Sequence, residues 1–262
     1  MNSVLKEANP IENKIDYRTL FVSGFSFSAI GTYLHNQQSK AWWIVSDRFH
    51  FENGLNNGIN LGNISHFYGV NLLGHLFSGG YEASGMQALE STWFSSLTAL
   101  SYEFYVEFED AHHQGHGFSI KDAGMDLLGA GFYIGQYYYP FLKNFQPKIS
   151  YWPTGDQKKN NHLIIDDHFG QKYWMGIRIK EFIPQKVRNY WPSFVNFALG
   201  IGPGKDLSLS NSNLYIALDL DAEELPLYGP FWQFVKNTLN YIHFPMPGIR
   251  INNKTAVFLL CF

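Results

Sequence analysis

The sequence predicts an α+β protein, with a helical layer first and an antiparallel sheet after it. Over roughly the first 145 residues the apolar positions recur with helical period in long segments. After Pro147, short runs alternate apolar and polar residues with period two. Clusters of Gly, Pro, Asn and Lys at 153–162, 184–193 and 202–213 separate those runs, which is turn chemistry. The expected organisation is a flexible polar lead at 1–17, a helical half at 18–146 and an antiparallel β half at 147–262, joined in one integrated domain.

The lead, Met1 to Asp16, lacks the apolar core of a signal peptide and has no cysteine near it to take a lipid. An exported form would then be a processed chain or would use another route. A helix is expected from Arg18 to His35, inside a stretch (Thr19 to Ser39) without Asp, Glu, Lys or Arg. At ~1.5 Å per residue it is just long enough to cross a bilayer. Its Ser, Thr and Gly content instead favours packing on another helix through small residues. Ala41 to Ser46 fits a short strand or a helix end, and Phe49 to Asn60 a loop. Ile64 to Ser78 reads as a helix carrying His66 and His75, stopped by Gly79 and Gly80. Ser91 to Phe108 is the next helix, entered through a cap at Ser84 or Ser91. Ser119 to Leu142 is the last of the set.

In the β half, Met175 to Ile179, Val195 to Ile201, Leu214 to Asp221 and Ala256 to Phe262 alternate most clearly. Phe231 to Ile242 reads as an amphipathic helix closed off by Pro245-Met246-Pro247. The sheet is expected to pack on the helices or to bend into part of a barrel. Four to six recognisable strands are too few for a closed eight-stranded one.

Composition narrows the partners. Aromatics reach 18% and charged residues only 16%, against about 25% charged in a typical soluble protein. That balance suits contact with lipid or a large apolar ligand, or else an aromatic-rich soluble core. A net charge of −3 without a basic cluster excludes a nucleic-acid partner. The one cysteine, Cys261, cannot form an internal disulfide and sits in an apolar run, where it reads as a small buried hydrophobe.

The unusual polar chemistry concentrates between Glu103 and Gly135. Glu103, Glu107 and Asp110, at i, i+4 and i+7, share one face of a helix. Asp122 and Asp126 share a face of the next. A loop of about ten residues makes the two helices antiparallel neighbours. Carboxylates gathered between them would need a cation, a proton or a basic partner, and His66 on an earlier uncharged helix can be that partner. Ser119 and Asp122 also match a capping box, Ser-x-x-Asp before an apolar helix. Asp126, followed by Leu127, Leu128 and Gly129, is costly to bury unless paired. His112, His113 and His116 match no well-specified zinc spacing. No glycine-rich phosphate loop and no Gly-x-Ser-x-Gly elbow is present, and Gly200 to Gly204 reads as a turn.

At Glu107, Asp110, Gly117, Ser119, Asp122, Asp126 and Gly129 the chain resembles the YfiM-like family of predicted periplasmic lipoproteins, a domain of unknown function. Trp42-Trp43, Phe49-His50-Phe51 and His66 fit its upstream segment; Phe194 to Gly202, Leu214 to Asp221 and Phe244 to Pro247 fit its sheet half. Two departures stand out: Gly62-Asn63 replaces an Asp-Lys before the histidine, and Asp126 replaces an Asn. A fainter likeness runs to VanZ-like membrane proteins. The resemblance implies a bacterial envelope location, periplasmic or outer-membrane, with a membrane or lipid partner. It implies no established reaction, cofactor or metal.

The expected site residues are His66, Glu107, Asp110, Asp122 and Asp126. They would bind or modify a lipid or cell-wall component. On the alternative reading they lock the helices together and the protein is a non-enzymatic structural or interaction protein.

Overall fold

A computed structural model describes residues 14–52, 58–154 and 167–262. Most of the expected lead, the middle of the 49–60 loop and most of the 153–162 turn cluster lie outside the described residues. Four long helices come first: α1 (Tyr17–Ala41), α2 (Leu61–Ala83), α3 (Ala88–Asp110) and α4 (Ile120–Tyr138). Six strands follow: β1 (Phe145–Tyr151), β2 (Gln171–Ile177), β3 (Val195–Gly202), β4 (Asn213–Leu220), β5 (Met246–Arg250) and β6 (Ala256–Cys261). A single turn, α5 (Gln185–Arg188), and α6 (Pro230–Leu239) lie in the connections. The strands pair antiparallel in chain order, forming an open meander from β1 to β6. The fold is α+β, as the two periodicities require.

Helix ends depart from expectation where packing overrides local signals. Gly79 and Gly80 do not stop α2, which runs on to Ala83. A Cβ on Gly80 would stand 2.7 Å from the Phe27 ring, so this glycine serves the α1–α2 contact rather than a helix end. Small residues from both helices meet in that contact, Gly80 of α2 against Ser23 of α1, whose Oγ donates to Gly80 O at 3.4 Å, while Gly24 of α1 faces open space. The stop comes at Gly85, whose φ of 84° suits glycine. Neither expected serine caps α3: its N-cap is Gln87, without a side-chain bond, while Ser84 and Ser91 donate to Tyr81 O and Ser78 O. α4 ends at Tyr138, and Pro140 opens a separate 3₁₀ turn, Pro140–Asn144.

Two strands, β1 and β5, carry prolines that mask them in the sequence. Pro147 is tolerated because β1 is a terminal strand of the meander. The run Pro245 to Pro247 does not merely close a helix; β5 begins at Met246, and a register shift between Met246 and Gly248 accommodates Pro247.

The sheet's two faces differ sharply. On β3, Asn196, Ala198, Gly200 and Gly202 are buried, and Val195, Phe197, Leu199 and Ile201 point the other way. α2 covers part of this second, apolar face: Leu61 and Tyr68 pack on Tyr173, with Ile149 and Ile201 beside them. At the outer edge of β1, Ile149 hydrogen-bonds through its backbone to Tyr241 and His243. Helix-on-helix packing is close. A Cβ on Gly129 of α4 would lie 2.5 Å from Phe67 O of α2, so the two backbones touch at a glycine.

Candidate functional site

That contact brings polar residues from three helices together. α3 contributes Glu103 and Glu107, one turn apart; α4 contributes Asp122 and Asp126; α2 contributes Asn63 and His66. His66 is the centre. Its Nδ1 hydrogen-bonds Asp126 Oδ1 at 3.1 Å, and its Nε2 stands 3.7 Å from Asp122 Oδ1 and 3.9 Å from Glu107 Oε1. Glu103 and Asp126 each bring a carboxylate oxygen into a second group with His66, all within 4.8 Å of one another. Glu103 reaches it over Gly69, whose lack of a side chain leaves room for the carboxylate.

Four of the five expected residues thus converge. The fifth, Asp110, accepts a 2.6 Å bond from Trp43 Nε1 and faces His116 Nδ1 at 3.8 Å, at one side of the cluster. Glu103 takes its place. The i, i+4 spacing of Glu103 and Glu107 was the signal for it; only the depth of α3 against α2 shows that Glu103 turns inward.

The capping box is half made. Ser119 Oγ accepts from Asp122 N at 3.3 Å, but Asp122 does not return the bond to Ser119 N. That amide donates instead to Glu107 Oε2 at 2.9 Å. Asp122 Oδ1 accepts from Asn63 Nδ2 at 2.7 Å. A carboxylate from α3 caps α4, and this releases Asp122 toward His66. Asn63, which stands where the resembled family has a charged residue, also completes a capping box of its own with Asn60 on α2.

The electrostatics follow from crowding in a dry place. Burial pulls the His66 imidazole down, but the hydrogen bond to Asp126 and the charges of Asp122, Glu103 and Asp126 outweigh it and raise it to about 10. Burial raises Glu103 to about 7 against the opposing pull of His66. It raises Glu107 to about 8 despite the Ser119 amide and His66. Asp126 is also raised, by burial, although His66 holds its charged form. Asp126 Oδ2 is buried with no hydrogen-bond partner in the protein. The centre is therefore an imidazolium among carboxylates that share protons near neutral pH. His66, Glu107 and Asp122 also stand close enough together to hold a divalent cation.

The loop histidines take other roles. His112 and His113 bond through Nδ1 to Phe108 O and Glu109 O, and His113 stacks on Trp43. His50 bonds to Arg48 O and His116 O, and Phe49 and Phe51 pack on Phe118. These residues fasten the aromatic 42–52 segment over the α3–α4 loop, beside Asp110.

Residues 49–137 match the model of a family described as predicted periplasmic lipoprotein (DUF2279). This is the family expected from the motifs, and the matched stretch contains every residue of the His66 cluster. It is narrower than the motif resemblance, which extended into the sheet. No curated protein and no solved structure matches the chain.

A second buried polar knot lies in the sheet half and carried no sequence signal. Lys148 Nζ pairs with Asp219 Oδ2 at 2.7 Å, and Asp219 Oδ1 bonds His243 Nδ1 at 3.0 Å, with all three side chains fully buried. His243 stacks on Trp174 at 3.9 Å. Lys148, Asp219 and His243 are about 24 to 95 residues apart in sequence, which is why only the register of β1, β4 and the 241–243 segment assembles them.

Proposed function

We propose that this chain is a bacterial cell-envelope protein whose His66 cluster binds, or does acid–base work on, a lipid or cell-wall component. The convergence of Glu103, Glu107, Asp122 and Asp126 on one partly exposed imidazole carries this reading. A purely structural lock would leave each carboxylate oxygen satisfied by the protein. Here one backbone amide, from Ser119, serves the cluster, and Asp126 Oδ2 is left without a partner. Glu107 and Asp122 lie on the Nε2 side of His66, while Asp126 holds the Nδ1 side and orients the ring. An imidazolium oriented through Nδ1 by Asp126 presents its Nε2–H toward Glu107, Asp122 and a bound group as a proton donor, and a cation taken up there would displace that proton. Membrane association, suggested by the lipoprotein description of the matched family, fits a lipid-derived ligand.

The test is elemental analysis of the purified protein together with His66→Ala and Asp126→Asn. Metal bound stoichiometrically by wild type and lost by both variants supports a cation-assisted centre. No metal, with both variants folded and unable to bind envelope lipid or peptidoglycan fragments that wild type retains, supports the proton-handling form. Loss of thermal stability in both variants, with neither metal nor ligand bound by wild type, replaces the proposal with the helix lock.

A further inference from the structure

The open sheet presents an apolar side outward and a mixed side inward, where the Lys148–Asp219 pair lies beside a core of Trp174, Tyr215, Ala198, Ala217 and Cys261; a sheet that faces water turns its apolar side in. The register shows it strand by strand. Pro147, Met175, Leu199, Ile216, Ile249 and Val257 pair in one row across all six strands. The next row, Lys148, Trp174, Gly200, Tyr215, Arg250 and Ala256, points to the opposite side, where Lys148 and Trp174 are fully buried. α2 covers the apolar side only near β1 to β3. Beyond it, Leu199 is 51% exposed, Val257 76% and Leu259 82%.

Three features identify what meets this surface. First, the apolar row and its neighbours (Phe145, Ile177, Phe197 and Leu218 on one side, Ile149, Tyr173, Ile201 and Leu214 on the other) contain no charged residue. At ~4.8 Å per spacing, the uncovered part from β3 to β6 is some ~14 Å wide, and soluble monomers seldom expose a large contiguous apolar area. Second, the patch is convex. The rings of Trp152 and Phe262, which follow the two end strands β1 and β6, lie 4.7 Å apart and line one hollow with the inward residues Lys172, Tyr215 and Phe258, so the sheet curls with that side inside. Small residues on the inner side, Gly176, Ala198, Ala217 and Gly248, make room for that curl. A convex surface meets a copy of itself poorly, whereas fluid acyl chains conform to it. Third, exposed aromatics sit in the connections at both strand ends: Trp152 and Phe169 at one, Tyr190 and Tyr228 at the other. Such rings favour the headgroup level of a bilayer.

We infer that the outer face of β3 to β6 seats in the acyl-chain layer of a membrane. The strands have five to eight residues, short of the ~9–11 of a spanning strand, so the face dips into one leaflet and leaves the helical half outside it. The apolar cleft of about 560 Å³ between α2 and α4, lined by Phe67, Leu128 and Phe132 among others, reaches the same face at Ile201. It offers an acyl chain a continuation of the surface. This seating goes beyond the His66 proposal and does not depend on it.

The test uses the full chain and phosphatidylcholine vesicles, whose neutral surface removes charge attraction. Wild type is expected to float with the vesicles, and Leu199→Asp/Val257→Asp to lose at least tenfold in bound fraction with an unchanged far-UV spectrum. A polarity-sensitive dye on Val257→Cys should shift to the blue with vesicles, while the same dye on Gln114→Cys, in the α3–α4 loop, should not; native Cys261 is buried from the label. His66→Ala should float as wild type does, which separates this result from the fate of the polar centre. Wild type that stays with the soluble fraction overturns the inference, as does a double variant that floats undiminished. So does a dimer in sedimentation velocity that Leu199→Asp dissolves, which would assign the face to a second copy.

Discussion

At the residue scale, the cost of burying charge shapes both polar clusters. Glu107 has an ordinary carboxyl value of 4.5 and is held at about 8 in the fold. A carboxyl raised in the folded state binds its proton more tightly there than in the unfolded chain. Its contribution is therefore complete below about 4.5 and is lost as pH rises through about 8. Glu107→Gln keeps an acceptor for Ser119 N but cannot titrate. Urea unfolding from pH 4.5 to 8 should show a smaller fall in stability for the variant than for wild type; parallel curves would mean Glu107 does not hold that proton. The Lys148–Asp219 pair poses the opposite case, two opposite charges sealed together. Lys148→Met strands Asp219 in a dry interior and should cost about 3–5 kcal/mol. The added change Asp219→Leu should recover part of it, measured by the same denaturation.

At the element scale, glycine decides how closely helices meet, and through that whether the His66 cluster exists. The cluster depends on α2 and α4 touching at Gly129, because His66 and Asp126 flank that contact by one turn or less. Gly129→Ala must push the helices apart against Phe67 O and should cost about 1–3 kcal/mol. Gly124→Ala on the same helix meets open space and should gain up to about 1 kcal/mol from helix propensity. If both substitutions behave alike in thermal unfolding, the close contact is not what holds the pair. Prolines teach the complementary lesson in the sheet. Pro147 and Pro247 hid β1 and β5 because a central strand excludes proline, yet an end strand and a bulge accept it.

At the scale of the whole molecule, the helices and the sheet divide the work. Among the described residues, the helical half holds the one place where a histidine meets several carboxylates. No described helix is long and apolar enough to cross a membrane, and the apolar composition reaches the surface of the sheet at Leu199, Leu214, Ile216, Ile249, Val257 and Leu259. Vesicle flotation of wild type and of Leu199→Asp/Val257→Asp is the measurement that ties this composition to a surface.

The sequence by itself determined the class of fold, the order of helices before strands, and His66 with three of the carboxylates around it, Glu107, Asp122 and Asp126. These follow from period, spacing and residue chemistry, which are local. It could not place Glu103 inside, set Asp110 aside, or connect Lys148, Asp219 and His243. Each of those depends on how far one element rotates or slides against another, and that is fixed by contacts between residues distant in the chain. The direction of the sheet's apolar face was likewise undecided until packing showed α2 covering only part of it. An alternating strand states that one side is apolar; only its neighbours in space say whether that side meets a core or is left exposed.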